Sequence, residues 1–165
     1  MKKIILKKFK KKYITKNYIS WLNNKELMKF SEQRHLFHDY NTCLEYYNSF
    51  KKTNNVFFAI FDKQKNIHIG NITIIIDLFN QLAKISILIG YPNQGYGSAT
   101  WKESIKYVKN NYNLRKITAG TVSANIAMIK IFKKNNMIYE YAKKKYDIEN
   151  HKLIDFNFYC LYNYK

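Results

Sequence analysis

An apolar, strand-like run from Ile85 to Tyr91 leads into Gln94-Gly95-Tyr96-Gly97-Ser98-Ala99, and a helix-like stretch follows from Ala99 to Tyr112. Strand, glycine turn and helix in that order build a cradle for phosphate. Two glycines let the main chain approach an anion closely, and the first N–H groups of the helix point at it. The helix dipole adds ~0.3–1 kcal/mol for an anion held there. A G-x-G pair also serves as a plain tight connection, so the segments around it must carry the interpretation.

The 165 residues are enough for one self-sufficient domain, read here as 1–165. Cys43 and Cys160 lack metal-ligand spacing, which points to a reducing, cytoplasmic setting and no zinc site. The start of the chain has only three consecutive apolar residues, Ile4 to Leu6, too short for a signal-peptide core. No apolar run approaches the roughly 20 residues that span a bilayer. The net charge of +18 invites a nucleic-acid reading, but only Arg34 and Arg115 among the 29 basic residues are arginine. Base-edge recognition leans on arginine's bidentate fork. A solvated lysine surface, or a preference for anionic small molecules, fits better.

The element pattern is mixed. Lys3 to Phe9 reads as an edge strand. Thr15 is placed to cap a helix through Leu22, and Lys25 to Phe30 reads as a second short helix. Ser31 to His35 reads as loop, and Thr42-x-x-Glu45 as a capping box opening a helix to about Lys52. Strands are expected at Val56 to Phe61, Ile67 to Ile76 and Leu82 to Tyr91, the first two joined by the polar turn Asp62 to Asn66. Ile117 to Val122 reads as another strand. Ser123 is placed to cap a helix from Asn125 to Asn136. Tyr139 to Tyr146 and Asp155 to Tyr162 close the pattern, the latter alternating Phe156, Phe158, Cys160 and Tyr162. Early hairpins, a central β-α-β-α unit and a closing hairpin imply an α/β fold with a mixed sheet and helices on both faces. The glycine loop follows a meander strand rather than the first strand, unlike a dinucleotide-binding fold, and the Gly-Lys-Ser/Thr of a P-loop is absent.

This order resembles the general N-acetyltransferase (GNAT) superfamily, and within it the branch of ribosomal-protein N-terminal and amino-sugar acetyltransferases. Tyr18-Ile19-Ser20-Trp21-Leu22-Asn23-Asn24 is similar to that branch's opening helix. Phe57-Phe58-Ala59-Ile60 and His68-Ile69-Gly70-Asn71-Ile72 are similar to its first hairpin. Ile89-Gly90 with Gln94 to Ala99 is similar to its pyrophosphate loop, and Asn125-Ile126-Ala127 with Phe132 to Met137 to its later helix. The resemblance implies a twisted, mostly antiparallel sheet of six to seven strands flanked by about four helices, using acetyl-CoA and no metal. Backbone groups of Ile87, Leu88 and Ile89 would pair with the pantetheine arm. Gln94, Gly95, Tyr96, Gly97, Ser98 and Ala99 would hold the pyrophosphate. Asn125 would touch the cofactor arm, and Lys133 or Lys134 the outer phosphates. The chain departs from the pattern in four places. Only four residues separate Gly90 from Gly95, Pro92 stands where Arg or Gln is usual, and Phe132 and Met128 replace a tyrosine and a serine. The usual general acid is therefore missing, and Tyr139 is a weak substitute.

Direct acetyl transfer needs a neutral amine and a donor for the developing oxyanion, implied to be a backbone N–H near Leu88 or Ile89. An α-amine of pKa about 8 is roughly one-tenth neutral at pH 7, a deficit of ~1.4 kcal/mol, whereas a lysine amine needs over three times that help. Glu32 is the first candidate base. Arg34 and His35 are candidate acceptor-binding residues, with Arg34 suited to a bidentate grip on phosphate or carboxylate. His38 and Asp77 are further candidates, and His68 reads as a packed strand residue. The expected reaction is acetylation of a small-molecule amine, favoured to be a nucleotide-linked amino sugar for surface glycans. The alternatives are a protein N-terminal α-amine, a non-catalytic acyl-CoA-binding protein and a basic RNA-binding protein. A homodimer is compatible with all of these.

Overall fold

The structure is a computed structural model that describes residues 3–149 and 151–163. The described residues form β1 (Ile4–Lys8), α1 (Lys16–Leu22), α2 (Lys25–Met28), α3 (Tyr40–Ser49), β2 (Val56–Asp62), β3 (His68–Asp77) and β4 (Leu82–Ile89). Then come α4 (Tyr96–Asn111), β5 (Lys116–Val122), α5 (Ile126–Lys134), β6 (Ile138–Glu149) and β7 (Lys152–Tyr162). The strands are hydrogen-bonded in the order β1-β2-β3-β4-β5-β7-β6. The expected mixed, mostly antiparallel sheet is present, with β4 and β5 running parallel. The five α-helices fall where the sequence pattern places helices, α2 being a single turn, against the about four that the resemblance implies.

The chain divides into two compact units, Met1–Ile76 with Ser86–Thr100, and Asp77–Ile85 with Trp101–Lys165. In the first, every residue of β2 from Phe57 to Asp62 is buried. Phe57, Ala59 and Phe61 share one face and pack with Phe9, Tyr18, Trp21 and Cys43. The rings of Phe9 and Phe57 stack with centroids 4.0 Å apart. Thr15 caps α1 as its sequence position predicts, accepting from the Tyr18 N–H at 3.3 Å.

Two local expectations in this unit are corrected. The Ser31–His35 segment is not irregular loop but a 3-10 turn over Glu32–His35, started by the Ser31 hydroxyl, which accepts from the Gln33 N–H at 3.2 Å. The α3 cap lies at Asp39 rather than Thr42. The Asp39 carboxylate accepts from the Thr42 N–H at 2.8 Å, and the Asp39 N–H donates to the Thr42 hydroxyl at 2.9 Å. A carboxylate is at least as good an N-cap acceptor as a hydroxyl and suits the positive end of the dipole, so the box forms three residues earlier.

In the second unit, β5 pairs with β7 along its whole length, from Lys116↔Tyr162 to Val122↔Phe156. Phe132 is 1% exposed and packs on Trp101 at 5.0 Å and Tyr159 at 4.9 Å. The alternation read in β7 is only half the story, because Tyr159 on the opposite face is buried like Cys160. The α5 cap is Asn125 and not Ser123. The Ser123 N–H still donates to the Asp155 carbonyl at 2.8 Å, so the strand pairing has not yet ended there.

Candidate active site

The approach to the glycine turn is set by close backbone contacts on β3 and α1. A Cβ on Gly70 would meet the Leu88 carbonyl oxygen at 2.2 Å, and one on Gly90 would meet the Trp21 indole at 2.2 Å. The Gly90 N–H donates to the Ile69 carbonyl at 2.9 Å. Backbone groups alternate sides along a strand. With Gly90 and Leu88 turned toward β3, the N–H and C=O groups of Ile87 and Ile89 face the other way. Of the three strand residues expected to meet pantetheine, Ile87 and Ile89 thus offer backbone groups off the β3 side. Leu88 turns its own toward β3.

The short segment from Gly90 to Gly95 is accommodated by two left-handed residues, Asn93 (φ 61°) and Gly95 (φ 78°). Asparagine and glycine are the residues that tolerate this region best. Gln94 and Gly95 are exposed, while Tyr96 is 2% exposed and begins α4. The helix starts three residues earlier than its apolar pattern predicts, because the glycine turn already is its first turn. The Ala99 N–H donates to the Gly95 carbonyl at 3.4 Å. That removes Ala99 from the expected set of open donors. The N–H groups of Gly97 and Ser98 precede that bond and point out of the helix end.

Tyr96 carries a feature absent from the sequence reading. Its hydroxyl donates to Asp62 Oδ2 at 2.6 Å, and Asp62 is itself 3% exposed. Asp62 is thus the buried last residue of β2 and also opens the polar turn, its Oδ1 accepting from the Gln64 and Lys65 N–H groups. A lone acid at the end of a wholly apolar run was the one available signal.

Asn125 and Lys133 lie in the second unit. The Asn125 Oδ1 accepts from the Met128 N–H at 3.2 Å, and Nδ2 donates to the Thr121 hydroxyl at 3.0 Å. Both ends of the amide thus serve its own helix and strand. Lys133 and Lys134 are exposed on the last turn of α5. The buried Phe132 and half-buried Met128 put no hydroxyl where the family pattern has one. Tyr139 is about half exposed and meets Tyr159 edge-on at 5.7 Å.

The candidate acceptor residues share the 3-10 turn. Glu32 and His35 are exposed; Arg34 is half-buried, and its Nη1 donates to the Ser31 carbonyl at 2.9 Å. His38 is buried, with Nε2 3.3 Å from the Gln33 carbonyl. The Asn23 side chain clasps the His38 backbone, donating to its carbonyl at 2.7 Å and accepting from its N–H at 2.9 Å. Asp77 is the last residue of β3, and its carboxylate accepts from the Asn80 N–H and Nδ2 in the turn that follows. Both contacts hold it below the usual carboxylate range.

His68 is packed, as its strand position predicts. Its ring stacks on Phe61 at 5.3 Å and meets Trp21 edge-on at 5.2 Å. Nε2 lies 2.9 Å from two acceptors, Gly70 O and Asn71 Oδ1, so Nε2 carries the hydrogen. Burial pushes its pKa down, and the ring stays neutral at ordinary pH. Cys43 and Cys160 are free and buried, and burial pushes the Cys43 thiol up to about 11. Among the described residues, no three His, Cys, Asp or Glu side chains gather to hold a metal. No helix among the described residues is long and apolar enough to cross a membrane.

No curated protein sequence matches the chain significantly. Solved structures do. A GNAT-family acetyltransferase from Bacillus anthracis superposes with a TM-score of 0.81 at 19% identity, over 98% of this chain and 96% of that one. A spermidine N-acetyltransferase from Vibrio cholerae, solved with CoA and spermine, gives 0.85 at 18% identity, over 96% and 95%. RimL, a ribosomal L7/L12 α-N-protein acetyltransferase solved with CoA, gives 0.82 at 15% identity, over 96% and 93%. At these identities the likeness establishes the fold. The family model of the acetyltransferase (GNAT) domain matches residues 3–138, from β1 into β6. With that match over most of its length, the chain belongs to the GNAT acetyltransferase family and is an N-acetyltransferase.

Proposed function

We propose that this single-domain enzyme moves an acetyl group from acetyl-CoA to the amine of a small anionic acceptor, a nucleotide-linked amino sugar. The observation that carries the acceptor class is the distribution of carboxylates. The chain has 11 acidic residues against 29 basic ones. Several of the 11 are committed within the fold. Asp62 holds Tyr96, Asp39 caps α3, Asp77 closes a turn, and Asp155 and Glu140 pair with Lys144 and Lys116. A polycation such as the spermine bound by the Vibrio cholerae enzyme would meet strong repulsion here, whereas a diphosphate would be attracted.

Acetyl-CoA fits the residues present. The open N–H groups of Gly97 and Ser98 and the left-handed Gly95 suit its pyrophosphate. The Ile87 and Ile89 backbone suits an extended, amide-bearing arm laid beside β4. The Ile89 N–H is the oxyanion donor, since it faces away from β3 while the Gly90 N–H is already bound to Ile69. Glu32 accepts the amine proton directly or through water, and Arg34 and His35 on the same turn orient the acceptor phosphate. With phenylalanine at 132, no tyrosine stands there to protonate the CoA thiolate, which leaves as the anion. A thiolate is stable enough near neutral pH for this, the ordinary thiol pKa being about 8.5.

Purified protein, acetyl-CoA and a panel of nucleotide amino sugars, free amino sugars, peptides with free N-termini and spermidine, followed by thiol release, test the reading. Turnover is expected with the nucleotide sugars. Turnover confined to peptides would replace it with the N-terminal α-amine reading, and CoA binding without turnover on any amine would leave a binding protein.

A further inference from the structure

The buried hydroxyl–carboxylate pair of Tyr96 and Asp62 has no part in the chemistry above, yet it sits on the first residue of α4, within the anion cradle. Tyr96 is flanked by Gly95 and Gly97, the two residues that restrain a backbone least. Its own ring is 2% exposed, and its hydroxyl ends on Asp62 Oδ2 at 2.6 Å. The other carboxylate oxygen, Oδ1, accepts from the N–H groups of Gln64 and Lys65, each at 2.8 Å. One buried carboxylate thus ties the turn between β2 and β3 to the opening residue of α4. The hydrogen bond to Asp62, with burial, pushes the Tyr96 hydroxyl above its ordinary pKa and keeps it a donor.

Filling space does not require this arrangement, since phenylalanine would occupy the same volume. Burying a carboxylate is costly unless its hydrogen bonds are met. Its charge would repel a phosphate rather than attract one. What the pair contributes is direction: a charge-assisted bond of fixed length on a rigid ring, between two flexible residues.

We propose that Tyr96 and Asp62 are positioning residues that set the affinity for the pyrophosphate of CoA by fixing the angle of the first turn of α4. This rests on the reading of the Gly95–Ser98 turn as a CoA pyrophosphate cradle. The test is calorimetric titration of wild type, Tyr96→Phe and Asp62→Asn with CoA and with pantetheine, which lacks the pyrophosphate. Steady-state kinetics and melting curves accompany it. Both variants should bind CoA about tenfold more weakly and pantetheine as wild type does. The KM for acetyl-CoA should rise in step while kcat at saturation stays within about twofold. Wild-type CoA affinity in a folded Tyr96→Phe protein, or an equal loss for pantetheine, would overturn the inference. Failure of the wild type itself to bind CoA would instead overturn the cradle reading, and the inference with it.

Discussion

Two short segments of the same compact unit are held in opposite ways. The proposed donor segment, from Gly90 to Thr100, is anchored from beneath. Gly90 lies against Trp21, Tyr96 reaches Asp62, and Ala99 and Thr100 are almost wholly buried. The proposed acceptor segment, from Ser31 to His38, is held from its ends. Its fixed points are the Ser31 cap and the Asn23 clasp on His38, while Glu32, His35, Leu36 and Phe37 face solvent. The first is the segment proposed to hold CoA, a ligand whose shape does not vary. The second is held through its backbone by the Ser31 and Asn23 side chains, so its exposed side chains can change without loss of those contacts. This is the division expected of an enzyme with one donor and a divergent acceptor.

The contrast can be broken most forcefully at Gly70. A methyl there would press on the Leu88 backbone at 2.2 Å, which has no flexible end to move. Gly70→Ala should lower stability by about 3 kcal/mol and weaken CoA binding, read by chemical denaturation and titration. On the acceptor side the effects should separate. Glu32→Gln should reduce kcat about 100-fold with the melting temperature and CoA affinity unchanged; a kcat within twofold of wild type would remove Glu32 from the mechanism. Asn23→Ala removes both bonds to His38 and should cost ~1 kcal/mol, with a several-fold rise in the acceptor KM and none in that for acetyl-CoA.

The smallest effect concerns pH. His68 lies in the aromatic core beside Trp21, with its pKa held below the ordinary 6.5 by burial. As pH falls through about 6.5 toward the native value, the unfolded chain takes up the proton first, so stability drops in that window and levels off below it. His68→Gln should flatten the slope of melting temperature between about pH 7 and 5. An unchanged slope would assign the acid sensitivity elsewhere.

Much of the fold was legible because its signals are local. Apolar runs such as Val56–Phe61 and Ile117–Val122 fall within strands, and Thr15 caps α1 as read. The errors also have local causes. Asp39 displaced Thr42 as a cap, Asn125 displaced Ser123, and α4 began inside the glycine turn. The two caps were missed where two capping residues competed, Ser123 because the strand still pairs there, and α4 begins early because the glycine turn is its first turn. The candidate site divides the same way. Gly95 and Ser98 could be read as a cradle from spacing alone. That Ala99 is spent on the helix and Asn125 on its own cap required coordinates.

By itself the sequence determined the order of strands and helices, the glycine turn between β4 and α4, and the excess of lysine over carboxylate. These follow from periodicity, glycine placement and composition, which act over a few residues or over the whole chain. Tertiary structure alone decided that Asp62 meets Tyr96 across 34 positions, that Gly70 admits the Leu88 carbonyl, and that Ile89 rather than Leu88 turns its N–H away from β3. Such choices depend on register and on contact between distant segments, and no local pattern encodes which buried carboxylate a hydroxyl will find.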